Sequence, residues 1–368
     1  MDDGREAATV MPGALPRAGF TFAPISARVL FGTGTLDQVA AEVMRAGIAR
    51  ALVLTTPQQA DLGHAVASRL GTLSAGVFAD AAMHTPLPVT LRALEAFKTA
   101  EADGIVAIGG GSTIGLGKAI AARLDVPQVV VPTTYAGSEM TPILGETVDG
   151  VKTSRTGPEI LPEVVIYDVG LTHGLPAAMS VTSGINAMAH AIEALYAPAG
   201  NPVIDALALE GIAALVEALP QIVADPTGGA GRAGALYGAW LCGICLGGAG
   251  MGLHHKLCHT LGGAFGLPHA ETHAVILPHA LAYNARAVPT VIARLQPILG
   301  ADPAQGVQDL AKRLGAPTAL RDIGMPRDGL DHAADLAMQA RYPNPRPLAR
   351  DAIRAMLGRA WDGAAVVQ

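Results

Sequence analysis

Unbroken apolar runs, each followed by a helix-forming stretch, recur through the first half of the chain and leave few folds open. Ala51-Leu52-Val53-Leu54 and Ile105-Val106-Ala107-Ile108 are wholly apolar, and Gln128-Val129-Val130-Val131 repeats the pattern after a polar first residue. A strand that is apolar on both faces must be covered on both faces, which implies a parallel sheet between helical layers. The intervening stretches 58–70, 91–102 and 112–123 supply those helices. After Leu161-Pro162-Glu163-Val164-Val165-Ile166-Tyr167-Asp168 the character changes. From Pro176 onward the sequence is alanine-rich and helix-periodic, as in 207–219 and 304–314. The 368 residues suit two domains. We expect a mobile tail over 1–18, a Rossmann-like NAD(P)-binding α/β domain over 19–174 and an all-helical domain over 175–368.

Half of the residues are hydrophobic, 15% are charged, and the net charge is −6, which leaves no basic footprint for nucleic acid. Three cysteines cannot build a disulfide framework, so a reducing, cytoplasmic setting is expected. Cys242 and Cys245 have the spacing of a redox pair, but they lie in an uncharged Ala/Gly/Leu run and read as buried structural residues. The polar start Met1-Asp2-Asp3-Gly4-Arg5-Glu6 has nothing like a signal peptide's apolar stretch. Residues 233–253 carry no charge and are long enough to span a bilayer. Seven of them are glycines, which points to a closely packed buried helix and no membrane role.

The run Gly109-Gly110-Gly111-Ser112 follows the apolar run 105–108 and precedes a helical stretch containing Lys118. Glycines there let backbone N–H groups approach a pyrophosphate at a helix N-terminus. A tight turn alone would need fewer glycines. The next strand ends in Pro132-Thr133-Thr134, which brings hydroxyls to the same sheet edge, and Ser138 follows. Thr56 stands where NADH-specific sites often carry a carboxylate for the ribose. Because Thr55-Thr56-Pro57-Gln58-Gln59 is uncharged, both NADH and NADPH are expected to be accepted.

Six of the eleven histidines fall between His254 and His279. Asn186 and His190 are four apart, as are His255 and His259, so each pair shares a helix face. These residues and His269 supply enough donors for a four-ligand metal site, one whose acidic member has become an amide.

These motifs closely resemble the iron-containing alcohol dehydrogenase superfamily. The resemblance rests on Phe31-Gly32-Thr33-Gly34, Gly109-Gly110-Gly111-Ser112, Pro132-Thr133-Thr134, the segment from Gly184 to Ala194, His255-x-x-x-His259-x-x-Gly262, Pro268-His269 and Leu277-Pro278-His279. It implies the dehydroquinate synthase-like fold and places the metal ligands of metal-dependent members at 186, 190, 255 and 269, with aspartate first. Asn186 departs from that set, and a neutral amide is the weaker ligand. Gly115 stands where many relatives have aspartate. Together with His254-His255-Lys256-Leu257-Cys258-His259 and Pro268-His269-Ala270-Glu271-Thr272-His273, these departures resemble the maleylacetate reductase branch. Its members reduce maleylacetate to 3-oxoadipate in aromatic-compound catabolism, many without metal.

The resemblance implies NADH or NADPH as cofactor, no metal, a small dicarboxylate substrate and a homodimer. Reducing a plain ketone localises charge on one oxygen, which a Lewis-acidic metal stabilises. A conjugated enone delocalises the charge, so hydrogen-bond donors suffice. His259 and His269 are the expected polarising and proton-donating residues. Asn186, His190, His255, Lys256 and Arg346 are expected to bind substrate, although Lys256 and Arg346 read equally well as surface charges. His254 and His273 would orient the others, with His279 packed at a domain edge. Three rival readings are a metal-dependent alcohol dehydrogenase using Asn186 as an oxygen ligand, a zinc hydrolase, and a non-catalytic nucleotide-binding protein. The hydrolase fails because its motif needs glutamate directly after the first histidine.

Overall fold

The computed structural model describes residues 19–149, 151–339 and 342–368. The expected tail over 1–18 lies outside the described residues. In the first half, β1 (Arg28–Gly32), α1 (Val39–Arg45), β2 (Ala51–Leu54), α2 (Ala60–Leu70), β3 (Ser74–Phe78), α3 (Leu87–Thr99), β4 (Gly104–Gly109), α4 (Gly111–Leu124) and β5 (Gln128–Pro132) alternate. A two-stranded antiparallel hairpin follows, β6 (Ile143–Val148) and β7 (Val151–Thr156), before β8 (Val164–Asp168). The main sheet has six strands in the order β1-β8-β5-β4-β2-β3, with every pairing parallel. Every residue of β2, β4, β5 and β8 is buried, as strands covered on both faces require.

The chain moves outward from β2 to β3 and then returns to β4 on the other side of β2. The connections therefore diverge between β2 and β4, and a doubly wound sheet binds ligands at the carboxyl ends of such strands. That crevice places Thr56 beside the turn Gly109–Ser112.

The second half is helical: α5 (Ala177–Ala194), α6 (Pro202–Ala224), α7 (Gly229–Ala249), α8 (Leu253–Phe265), α9 (His269–Ala285), α10 (Pro289–Leu299), α11 (Pro303–Arg313), α12 (Gly329–Gln339) and α13 (Arg350–Asp362). Asn201 starts α6 by accepting from the amides of Val203 and Ile204, with Pro202 filling the first helical position. α5 is buried at every residue from Gly184 to Ala194 and forms the spine of this half.

Most of the uncharged run, 233–249, lies in α7, which bends by 98° into α8. No single described helix is long and apolar enough to cross a membrane. Its glycines mark close contacts. A Cβ on Gly238 would lie 2.9 Å from the Gly211 oxygen on α6, and one on Gly243 would lie 2.5 Å from the Gly137 oxygen in the loop after β5. Cys242 and Cys245 are buried and not disulfide-bonded. Burial pushes both thiols up, Cys245 to about 12, so neither is a redox thiolate near neutral pH.

Candidate active site

A cleft of about 560 Å³ opens at the β2/β4 crevice, lined by Thr56, Gln58, Asp80, Met83, Arg92 and Ser112 among others. Gly109 has φ +151°, and an added Cβ would meet Thr113 Oγ1 at 2.5 Å, so the turn is closed to side chains. Gly110 packs against Thr134, where a Cβ would lie 2.9 Å from the methyl carbon. It precedes α4 without any side-chain cap, so the first amides of this helix remain open to an anion. Thr133 accepts a 3.1 Å hydrogen bond from Gln59 and binds the Gly109 carbonyl through its own amide. Gly115 has a local cause: a Cβ there would lie 2.4 Å from the hydroxyl of Thr85, itself held at φ +46°.

Lys118 departs from the expectation of a phosphate contact. Its side chain is buried, and its ammonium donates to the carbonyls of Ser138, Thr141 and Ile143 and to Thr141 Oγ1. Burial pulls its pKa down to about 7 while the nearby Glu139 opposes the shift. The lysine pins the loop after β5, including Ser138, and does not face the cleft.

The sequence reading missed Asp80 and Arg92. The run after β2 is uncharged, but the next strand end brings Asp80 to the same cleft, 3.7 Å from Arg92. Strand order decides this proximity, and local sequence does not reveal it. Arg92 is the cation on this wall, so Arg92→Ala is expected to raise KM for NADPH about tenfold and leave that for NADH little changed. Parallel steady-state kinetics check this, and equal changes for the two coenzymes would remove Arg92 from 2′-phosphate recognition.

Beyond the loop lies the histidine cluster. Gly137 adopts φ +74° and lies so close that a Cβ would stand 3.2 Å from His190 Nδ1. The nucleotide-side loop therefore abuts the first imidazole. His190 stacks on His255 with ring centres 5.0 Å apart. His255 lies 6.2 Å from His259, and His259 stacks on His269 at 6.4 Å. His273 is 4.4 Å from His269 and 5.0 Å from His255. Asn186, His190, His254, His255 and His273 are buried, whereas His259 and His269 are half-exposed.

Glu193 organises this cluster and was also missed. It lies on α5 and is only 1% exposed. One carboxylate oxygen accepts from the His254 amide at 2.7 Å; the other accepts from the Gly252 amide at 3.0 Å and from His255 Nδ1 at 2.6 Å. A carboxylate at the start of α8 satisfies orphan amides and meets the positive end of the helix. It also orients His255, leaving Nε2 with no protein partner. Asn186 Oδ1 and His190 Nδ1 are likewise buried and without a hydrogen-bond partner among the described residues. Glu193 follows His190 by three and Asn186 by seven residues, so one helix face carries all three.

Lys256 is half-buried beside His255, and among the described residues no salt bridge engages it. Arg346 departs from the expected substrate role. Its guanidinium lies 4.2 Å from the Tyr283 ring centre and donates to the Tyr283 carbonyl at 3.0 Å. It staples the loop after α12 onto α9 through cation–π and hydrogen-bond contacts.

Burial holds His190, His254 and His273 well below the usual imidazole range, and neighbouring imidazoles add to the effect. Burial, followed by Arg359 and Lys312, lowers His279 to about 4. The unfolded chain takes up these protons near pH 6.5, and the folded chain does so only at lower pH. Their stabilising contribution is therefore full above about pH 6.5 and declines as pH falls from there toward 4. Urea unfolding at pH 7 and 5 is expected to show a marked loss, at up to about 1.4 kcal/mol per pH unit for each histidine. A His279→Gln variant with an undiminished slope would contradict its share.

Residues 26–169 match the family described as iron-containing alcohol dehydrogenase, and residues 180–361 match the C-terminal part of the same family. The chain belongs to the iron-containing alcohol dehydrogenase family. Within it, the chain is 57% identical to a maleylacetate reductase of Rhizobium sp. (strain MTP-10005) over 345 residues, covering 94% of this chain and 98% of the relative. It is 54% identical to a maleylacetate reductase of Burkholderia cepacia over 94% and 98% of the two chains. The crystal structure of the Rhizobium enzyme matches with a TM-score of 0.91 at 56% identity, over 95% of this chain and all of that one. A crystal structure of a protein described as a putative alcohol dehydrogenase from Ralstonia eutropha JMP134 matches with a TM-score of 0.94 at 54% identity, over 95% and 99% of the chains. The α/β half followed by a helical half is thus this family's architecture.

Proposed function

We propose that the chain reduces the conjugated carbon–carbon double bond of maleylacetate with NADH or NADPH, giving 3-oxoadipate. The observation that carries this reading is the amide at Asn186 within a ring of imidazoles, in a chain more than half identical to a maleylacetate reductase. Asn186, His190, His255 and His269 form a neutral donor set, which fits a buried divalent cation poorly because nothing in it offsets the charge. The reaction is proposed to need no resident metal.

Hydride from the nicotinamide adds to the alkene carbon β to the ketone, and the displaced electron pair moves to the ketone oxygen as an enolate. His259 and His269, both half-exposed, hydrogen-bond this oxygen and return a proton to the α-carbon. Lys256 supplies a positive charge for one substrate carboxylate, and Asn186, His190 and His255 supply polar contacts. Residues 19–174 hold the coenzyme through Thr56, Gly109–Ser112, Thr133, Thr134 and the Ser138 loop, and residues 175–368 supply the reacting groups. We assign the enzyme to the cytoplasm as a homodimer, with no membrane or nucleic-acid partner.

The test is NADH oxidation with maleylacetate beside simple aldehydes and diols, before and after exhaustive chelation. Maleylacetate turnover is expected to survive chelation, with the simple substrates slow throughout. The unpartnered atoms Asn186 Oδ1, His190 Nδ1 and His255 Nε2 give one observation to the metal-dependent alternative. Activity lost on chelation and restored by iron or zinc would establish that alternative.

A further inference from the structure

We propose that His254, Cys258 and His273 form a second cation site, separate from positions 186, 190, 255 and 269. It would take a soft divalent ion of the zinc type through two imidazoles and one thiolate. The three donor atoms lie within 4.8 Å of one another, and the residues are 0%, 2% and 0% exposed. His254 and Cys258 are one turn apart on α8, and α9 brings His273 against them.

The geometry is close to what such an ion needs. Tetrahedral zinc with ordinary bond lengths sets sulfur and nitrogen about 3.6 Å apart. Here Cys258 Sγ is 3.7 Å from His254 Nε2. Two imidazole nitrogens on the same ion stand about 3.3 Å apart. His254 Nε2 and His273 Nδ1 are now 2.8 Å apart and share a hydrogen bond, so the rings must separate by roughly half an ångström. Three protein ligands with a water in the fourth position is a common zinc arrangement.

Charge favours this triad over the neighbouring set. Asn186 and three imidazoles offer an ion no negative charge, whereas the thiolate offers one. The proton balance is simple. Cys258 releases its proton to solvent as the sulfur–metal bond forms, and the proton between the rings moves to the outer nitrogen of the ring that carries it. Those outer atoms, His254 Nδ1 and His273 Nε2, have no hydrogen-bond partner among the described residues. One proton is therefore released per ion bound.

Cobalt(II) titration of the full-length protein tests this, because cobalt bound to a thiolate gives a near-ultraviolet charge-transfer band that imidazole and amide ligands do not. The expected result is a stoichiometric band that is lost in Cys258→Ser and retained in Cys242→Ser and His190→Ala. No band in the folded wild type, a band that survives Cys258→Ser, or one lost in His190→Ala would overturn the site. Circular dichroism checks that Cys258→Ser is folded. If it is not, His273→Asn decides: cobalt affinity should fall at least about tenfold, and unchanged affinity would overturn the assignment.

Discussion

Replacing His259 by alanine is expected to lower kcat for maleylacetate by about 100- to 1000-fold, the usual loss when one preorganised donor to a developing oxyanion is removed. His259 is half-exposed and stacks on His269 at 6.4 Å, so these two rings are a solvent-accessible part of the cluster. Burial holds His190, His254 and His273 behind them well below the usual imidazole range, which makes them poor sources of a proton near neutral pH. A donor used only as charge develops affects kcat and kcat/KM together. The measurement is steady-state NADH oxidation, with coenzyme binding by fluorescence as the control for folding. A kcat within a few-fold of wild type would take His259 out of the reaction.

The second large effect is on stability. Glu193→Ala is expected to destabilise the fold by about 3 kcal/mol or more, because each buried donor left without its acceptor costs about 1–3 kcal/mol. The Gly252 and His254 amides and His255 Nδ1 would lose their acceptor together, and Glu193 and both histidines are buried. Glu193→Gln keeps an acceptor for the start of α8 and should recover much of the stability. Its amide cannot hold His255 in the same way, so turnover should recover less. Urea unfolding of the three proteins measures the first effect; a loss below about 1 kcal/mol in the alanine variant would show that α8 does not depend on this cap.

The sequence exposed those features that are written locally. Unbroken apolar runs specify strands covered on both faces, and β2, β4 and β5 lie where those runs stand. The edge strand β3, Ser74–Phe78, is short, small-residued and half-buried, and the hairpin β6–β7 carries polar residues along much of its length. Neither has an apolar pattern to announce it. In the site, the spacings 186/190 and 255/259 were legible because one helix turn relates each pair. Glu193, Asp80 and Arg92 act across elements, and only the tertiary structure pairs Glu193 with His255 or Arg92 with Thr56. Lys118 and Arg346 failed for a related reason. A long cationic side chain reaches several directions, and here backbone carbonyls claimed both.

The contact between Gly137 and Gly243 bears on how such proteins can be recombined. The obstacle to a Cβ on Gly243 is a main-chain oxygen 2.5 Å away, which no change of neighbouring side chain can remove. The chain divides cleanly between β8 and α5, and a chimaera joining the front of one relative to the back of another would be cut there. Its success would rest on a seam remote from the junction, where bare backbone from each parent must meet. Donor halves that both keep glycine at these places can be exchanged; a parent with any side chain at position 243 would wedge the loop away from His190.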